Sequence, residues 1–300
     1  MTKHNIVSMG EILWDILPDQ ELPGGASLNV AYHLQKLSQH VAMVSRVGTD
    51  DYGQRLLQLM EQQQLSTAYI QQDSEHVTGK VFAHMDENND MQYDIVYPVA
   101  WDHISWNDSL EKLLQGDELQ YVLYGSLQAR HEVTRSTLSK VIQTNVRKVL
   151  DINLRAPYYS QELLEWLMNS CDLLKMNIAE LVLISSWYGS YDTNEARIQA
   201  LAARFNIDTI VVTLGGDGCM GYIKEAFYYQ SGLKVKVADT IGSGDAFLAG
   251  FLTCQLRECT PEYSLAYANA LGALVASKSG GCPAYDPQEI AVLMKTAISS

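Results

Sequence analysis

Residues 239–252 read DTIGSGDAFLAGFL, a turn of small residues running into an apolar helical stretch at 244–257. Gly242, Ser243 and Gly244 stand just before that stretch. Their backbone N–H groups are expected to be free at a helix N-terminus, where small residues let an anion come close and the dipole favours its charge. Asp245 follows in the first turn. An acid there is common on its own account, since helix starts favour negative charge. Beside an anion-binding turn it also supplies a carboxylate that can accept a proton from an alcohol, and these are the two groups phosphoryl transfer requires.

Outward from this stretch the chain alternates. Short β-type runs at 5–10, 41–47, 120–125, 148–153 and 209–215 are separated by helical periodicity at 25–38, 51–64, 131–144, 194–205 and 261–277. Strand, helix, strand in this order implies right-handed crossovers and a mostly parallel sheet covered by helices on both faces, with ligands bound beyond the carboxyl ends of the strands. One segment departs from the alternation. KVFAHMD (80–86) and MQYDIVY (91–97) flank the polar turn Glu87, Asn88, Asn89 and Asp90, with no helix after either, so they read as a hairpin outside the main sheet. Such a flap over the sheet's end closes on a ligand and excludes water.

The 300 residues are 47% hydrophobic and 19% charged, enough to bury a large core, and no repeat or linker divides them. A net charge of -14 sets the surface against a polyphosphate backbone, which argues against nucleic acid as a partner. Five cysteines, odd in number and without a C-x-x-C pair, read as buried thiols in a reducing compartment. Near the N-terminus Asn5, Glu11 and Asp15 interrupt any signal-peptide core, and no apolar run nears the ~20 residues a bilayer requires, so the expectation is a cytoplasmic protein without a membrane partner.

A second informative stretch is PGGASLNVAYHLQKLS (23–38), where Gly24 and Gly25 let the chain pass close to a ligand and Asn29 offers both a donor and an acceptor. Sugars present the complementary pairs. A glycine turn with a capping-type Asn reads equally well. The run Gly216, Gly218, Gly221 spells G-x-G-x-x-G after a strand, but YIKEAFYY follows, which reads as β-structure where a dinucleotide site requires a helix. No G-x-x-x-x-G-K-[ST] occurs, which excludes a P-loop kinase.

Together the two stretches closely resemble the two signatures of the PfkB family of carbohydrate kinases, the ribokinase-like proteins. The first runs from Gly24 and Gly25 through Asn29 and Ala31 to Ser38 and Gly48. The second covers Asp239, Thr240, Gly242 to Asp245, Ala249 and Gly250. The resemblance implies one three-layer α/β/α ribokinase-like domain over 1–300, with a mostly parallel central sheet and a small β-hairpin lid formed mainly by about 10–20 and 78–104. It implies ATP and Mg²⁺ as cofactors, with K⁺ as an activator, and a homodimer through the lid. Asp245 is then the general base, Gly242, Ser243 and Gly244 the anion hole, and Arg155 a further charge near the phosphates.

Sugar contacts are expected from Asp15, Gly25, Asn29 and, on the lid strand, Tyr93. Nucleotide contacts are expected from Asn177, Thr213, Gly215, Gly218, Gly244 and Asn269. Glu180, in the Asn-x-x-Glu element with Asn177, is expected to position Mg²⁺ through water. Asp239 and the carbonyls near Ile241, Val275, Lys278 and Gly280 are expected to hold the monovalent cation. Among relatives, GEILWDILP and VYPVAWDHI look most like the fructokinase branch, so fructose is the expected substrate. A 2-keto-3-deoxygluconate kinase, another sugar or nucleoside kinase, or a catalytically silent sugar- or nucleotide-binding regulator are the alternatives. The lid region 80–106 contains no Arg to meet a carboxylate, which leans towards a neutral sugar.

Overall fold

A computed structural model describes residues 3–85 and 91–298. Its strands are β1 (Ile6–Met9), β2 (Leu13–Ile16), β3 (Glu21–Gly24), β4 (Val41–Gly48), β5 (Ile70–Asp73), β6 (Gly79–Met85), β7 (Met91–Ile95), β8 (Tyr121–Gly125), β9 (Arg147–Asp151), β10 (Leu173–Asn177), β11 (Thr209–Thr213), β12 (Gly218–Ile223) and β13 (Ala226–Ser231). The helices are α1 (Ala26–Lys36), α2 (Asp51–Gln62), α3 (Asp108–Leu114), α4 (Glu132–Val141), α5 (Gln161–Met168), α6 (Ile178–Ser186), α7 (Asn194–Phe205), α8 (Ser243–Leu256), α9 (Pro261–Ala276) and α10 (Gln288–Ile298).

Nine strands form the main sheet in the order β13-β12-β11-β10-β9-β8-β1-β4-β5. All neighbours from β11 to β5 run parallel, and only β12 and β13 are antiparallel. The parallel strands alternate between two cores. Ile6 and Val211 pack with Leu28, Leu56, Phe251 and Leu271 on one face, while Val7, Ile210 and Val212 pack with Leu113, Leu138, Leu167 and Leu201 on the other. Both faces of the sheet are therefore sealed by helices, and each such buried Leu, Ile or Phe contributes roughly 1.5–3 kcal/mol. This is the expected three-layer α/β/α architecture. The YIKEAFYY stretch is the β12–β13 hairpin, so no helix follows the glycine run there.

Helix starts follow side-chain chemistry. Asp50, Asn107, Ser160, Thr193 and Thr260 each accept the N–H three residues on, which caps α2, α3, α5, α7 and α9. Helices α1 and α8 differ, because both begin after glycines, Gly25 and Gly242, and carry no side-chain cap. In α1 the Ala26 N–H turns to Glu11 Oε1 at 3.0 Å, and in α8 the Ser243 N–H reaches the Thr240 carbonyl at 3.3 Å. Helix α8 begins at Ser243, so Ser243 and Gly244 lie inside its first turn and only Gly242 precedes it.

A separate four-stranded sheet has the order β3-β2-β6-β7. Strands β6 and β7 are the expected hairpin, and their joining turn at 86–90 lies outside the described residues. Strands β2 and β3 complete the sheet, with β2 parallel to β6. Its root is fastened to α2: Trp14 Nε1 donates to the Tyr52 carbonyl at 3.0 Å, the Arg55 guanidinium lies 4.4 Å from the Trp14 ring, and Lys80 Nζ lies 3.8 Å from the Tyr52 ring.

Candidate active site

A cleft of about 560 Å³ lies at the carboxyl ends of the central strands, roofed by the small sheet. Its walls come from the start of α1 (Gly25, Asn29), the start of α8 (Gly242 to Asp245), the segment after β9 (Asn153 to Ala156), and Leu13, Asp15, Val81 and Ile95 of the small sheet. In β6, alternation turns Val81 towards the cleft and leaves the next residue, Phe82, 44% exposed on the outside.

The two glycine caps fix the geometry of the floor. Gly25 has φ +104°, and a Cβ on it would stand 2.5 Å from the Glu11 carbonyl oxygen. Gly242 has φ +73°, and its Cβ would stand 2.5 Å from Gly281 Cα. Neither position accepts an L side chain without strain. Beyond Gly242, the amides of Gly244 and Asp245 have no carbonyl of an earlier helical turn to bond, so α8 offers a bare N-terminus of the kind that accepts a phosphate.

Asp245 is 9% exposed, and Asn29 donates its Nδ2 to Asp245 Oδ2 at 2.8 Å. The Asn29 Oδ1 in turn accepts from Cys282 Sγ at 3.2 Å. The segment carrying Cys282 is itself tied to α1. His33 Nε2 lies 2.9 Å from the Gly281 carbonyl and must donate to it, which leaves Nδ1 to accept from Tyr285 Oη at 3.1 Å. Burial holds that imidazole neutral, with its pKa pushed down to about 4.

Three carboxyls share the cleft, and burial raises each. Asp245 is pushed up to about 6, with the Asp151 charge adding to the rise and Lys175, the Asn29 bond and Arg155 opposing it. Asp15, on β2 between Leu22 and Val81, is pushed up to about 6 by burial, lowered by Arg155 and raised again by Asp245 and Asp239. Glu11 rises to about 7, and its Oε1 accepts the Ala26 N–H at 3.0 Å. Glu11 was not among the residues singled out from the sequence, although it stands in the same GEILWDIL run as Asp15.

Lys175 was missed too. It is 6% exposed, it lines the cleft, and a Cβ on Gly244 would stand 3.1 Å from its Nζ. That ammonium pairs with both oxygens of buried Asp151, at 3.0 and 3.1 Å, and the two residues are register partners on adjacent strands. Burial works against the charge, yet the carboxylates of Asp151, Asp245 and Glu180 hold the Lys175 pKa above the ordinary lysine value. A fixed cation therefore stands against the anion-accepting turn.

The cleft also contains Arg155, Asn177, Thr213 and Ile241. Asn177 and Glu180 form a reciprocal capping box at the start of α6, with Asn177 Oδ1 accepting the Glu180 N–H at 2.9 Å and Glu180 Oε2 accepting the Asn177 N–H at 2.8 Å. The other Glu180 oxygen accepts the Leu154 N–H at 2.8 Å, so this buried carboxylate locks the strand ends β9 and β10 together. Asp239 accepts the N–H groups of Ile241 and Gly280, each at 3.0 Å, and gathers those two into one turn. Lys278 donates its N–H to the Val275 carbonyl at 2.9 Å at the end of α9. Gly215 and Gly218 lie at the β11–β12 turn, and Asn269 on α9 donates to the Ser231 carbonyl at 3.0 Å, all three away from the cleft lining. The Tyr93 side chain lies outside the described residues. Among the described residues, no group of three or more His, Cys, Asp or Glu side chains is arranged to hold a metal ion, and no helix is long and apolar enough to cross a membrane.

Comparison with known proteins bears on the family and the fold. The chain matches the profile of the pfkB family carbohydrate kinases over residues 19–288. A probable fructokinase-7 of Arabidopsis thaliana is 26% identical over 310 aligned residues, spanning 93% of this chain and 89% of the relative. Among solved structures, the fructokinase of Xylella fastidiosa with bound ATP superposes with a TM-score of 0.86 at 21% identity, over 99% of this chain and 100% of that one. The fructokinase of Vibrio cholerae O395 in its fructose, ADP and calcium ion bound form superposes with a TM-score of 0.81 at 24% identity, over 98% and 100%.

Proposed function

We propose, for a chain that belongs to the pfkB family of carbohydrate kinases, that the reaction it catalyses is transfer of the γ-phosphoryl group of ATP to a hydroxyl of fructose. The observation that carries this reading is the meeting of Asn29 and Asp245 above an uncapped helix start, an amide, a carboxylate and main-chain N–H groups within one cleft, which suit a sugar, its proton and a phosphoryl group. Fructose, as against other acceptors, is supported by the chemistry of the cleft walls. Asp15 and Asn29 offer acceptors and a donor to hydroxyls, Leu13, Val81 and Ile95 offer apolar faces, and among the described residues the small sheet lines the cleft with no cation to meet a carboxylate. The curated relative from Arabidopsis is a probable fructokinase, which points the same way.

In this reading the sugar is held by Asp15, Gly25 and Asn29, with Tyr93 on the lid strand, and lid closure excludes water. Asp245 takes the proton of the attacking hydroxyl, which it can do once its own proton is lost. The N–H groups of Gly242, Ser243 and Gly244 donate to the oxygens of the transferring group and so hold its charge, with Arg155 and Lys175 adjacent. Mg·ATP supplies the phosphoryl group and neutralises part of its charge. Asn177, Thr213, Gly215, Gly218, Gly244 and Asn269 serve the nucleotide, and Glu180 serves the hydration shell of Mg²⁺. Asp239 with the carbonyls of Ile241, Val275, Lys278 and Gly280 holds K⁺. The outward face of the small sheet, with Phe82 44% exposed, suits pairing of two lids in a homodimer.

The test is ADP release with Mg·ATP and K⁺ against fructose, 2-keto-3-deoxygluconate, ribose, tagatose 6-phosphate and adenosine, with Asp245→Asn as control. Turnover highest on fructose and lost in the variant is the expected outcome. Preferred turnover of any other acceptor refutes the fructose assignment, and silence across the panel refutes the kinase reading of the cleft.

A further inference from the structure

A second depression, of about 570 Å³, lies outside the cleft against the segment 157–166. Its floor holds Arg130, whose side chain is 1% exposed. The guanidinium makes a two-pronged pair with Asp102, at 2.7 and 2.8 Å, and stacks over Trp101, Tyr158 and Tyr97 at 4.0, 4.6 and 4.9 Å. Its remaining nitrogen, Nη1, is buried without a partner. The rings of Tyr97 and Tyr158, which line the depression, cover the guanidinium, so Arg130 is a cation held just beneath the wall and paired from behind by Asp102.

The rim adds a second guanidinium. Arg135 is exposed and oriented by two main-chain carbonyls, Ala129 at 2.7 Å and Arg130 at 3.2 Å, and it has no carboxylate partner among the described residues. Glu162 also lines the depression, and aromatic faces come from Tyr97, Tyr159 and Trp166. The hydroxyls of Tyr97 and Tyr159 and the Trp166 indole N–H have no protein partner among the described residues. These groups select a ligand. An anionic group suits the exposed Arg135, a flat apolar face suits the rings, and hydroxyl donors suit the Glu162 carboxylate, which repels a plain aromatic acid.

We propose that the depression between Arg130, Arg135 and Trp166 binds a phosphorylated sugar, at a site separate from the cleft that holds Asp245. The site touches the lid's root from outside. Arg130 Nη2 donates to the Val96 carbonyl at 2.8 Å and Tyr158 Oη to the Ile95 carbonyl at 3.1 Å, while the Ile95 side chain lines the cleft.

Calorimetric titration of the full chain with fructose 6-phosphate, and separately with inorganic phosphate, tests this. Arg135→Glu and Trp166→Ala report on the outer site, and Asn29→Ala on the cleft. Expected is fructose 6-phosphate binding that Asn29→Ala leaves unchanged and that Arg135→Glu weakens by about tenfold, the size of one lost charge-assisted hydrogen bond. Trp166→Ala weakens it as well. Arg135 is exposed but bonds the Ala129 and Arg130 carbonyls, so the titrations are run where urea denaturation shows the variant fully folded, and the loss then reads as binding. Absence of binding at millimolar ligand, binding abolished by Asn29→Ala but indifferent to Arg135→Glu, or inorganic phosphate binding as tightly as fructose 6-phosphate each overturns the proposal.

Discussion

Asn29 and Asp245, 216 residues apart, are joined by a hydrogen bond of 2.8 Å that ties the first turn of α1 to the first turn of α8. Both helices start on glycines whose backbone no other residue adopts without strain, so the position of this pair follows from two caps and does not depend on long flexible side chains. The carboxylate and the amide therefore arrive preorganised for the roles proposed for them, proton acceptor and sugar contact.

Asp245→Asn keeps the side chain's shape and an oxygen for the Asn29 amide, while removing the proton acceptor. The expected loss in kcat is on the order of 10² to 10⁴, with ATP binding retained. In the wild type the same group sets the acid limb. Asp245 has a pKa of about 6, so kcat/KM is expected to rise with pH through that value and level off above it. Near-wild-type turnover in the variant, or a flat profile between pH 5 and 7, contradicts the assignment.

Asn29→Ala removes the proposed sugar contact together with a hydrogen bond that lowers the Asp245 pKa. Two effects are expected together: a rise in KM for the sugar and an acid limb displaced upward from about 6. Steady-state kinetics across pH separate them. A KM change with an unmoved limb would show that Asn29 serves the sugar alone.

These two residues were legible because each stands beside glycines at the start of an apolar helical pattern, where a ligand-facing turn has a sequence signature. Lys175 had none. In LLKMN a lysine interrupts an apolar run, which reads as a solvent-facing residue and hides the strand β10 as well. Only its register with Asp151 on β9 makes burial tolerable, and parallel register is not written in either segment alone. Glu11 was hidden differently. Its role in accepting the Ala26 N–H depends on how Gly25 turns the chain back onto β1, a tertiary fact. Likewise the β6–β7 hairpin was visible from its alternation, whereas β2 and β3, at four residues each, are too short to signal a sheet.

Lys175→Met leaves the Asp151 carboxylate buried and unpaired, which costs about 3–5 kcal/mol. The double variant Lys175→Met/Asp151→Leu removes both charges and is expected to recover most of that stability. Activity behaves otherwise. With the cation gone from beside Gly244, kcat stays low in the double variant although the fold is restored. Urea midpoints and kcat measured on the same three proteins decide this, and recovery of kcat along with stability would reduce Lys175 to a structural role.

The cleft carboxyls also make stability depend on pH in a direction opposite to activity. Glu11 has a folded pKa of about 7 against an ordinary 4.5, so the native state binds its proton more tightly than the unfolded chain does. The stabilisation is complete below the ordinary value and is lost as pH rises through about 7. A shift from 4.5 to about 7 corresponds to ~3 kcal/mol. Glu11→Gln keeps an oxygen for the Ala26 N–H and removes the titration, so its urea midpoint is expected to fall less between pH 5 and pH 8 than that of the wild type. Asp15 and Asp245 add to the trend in both proteins, which makes the difference between the two pH responses the quantity to measure. Identical pH responses would mean that Glu11 is no harder to ionise in the fold than in the unfolded chain, and the carboxyl beneath Ala26 would then carry charge throughout the catalytic range.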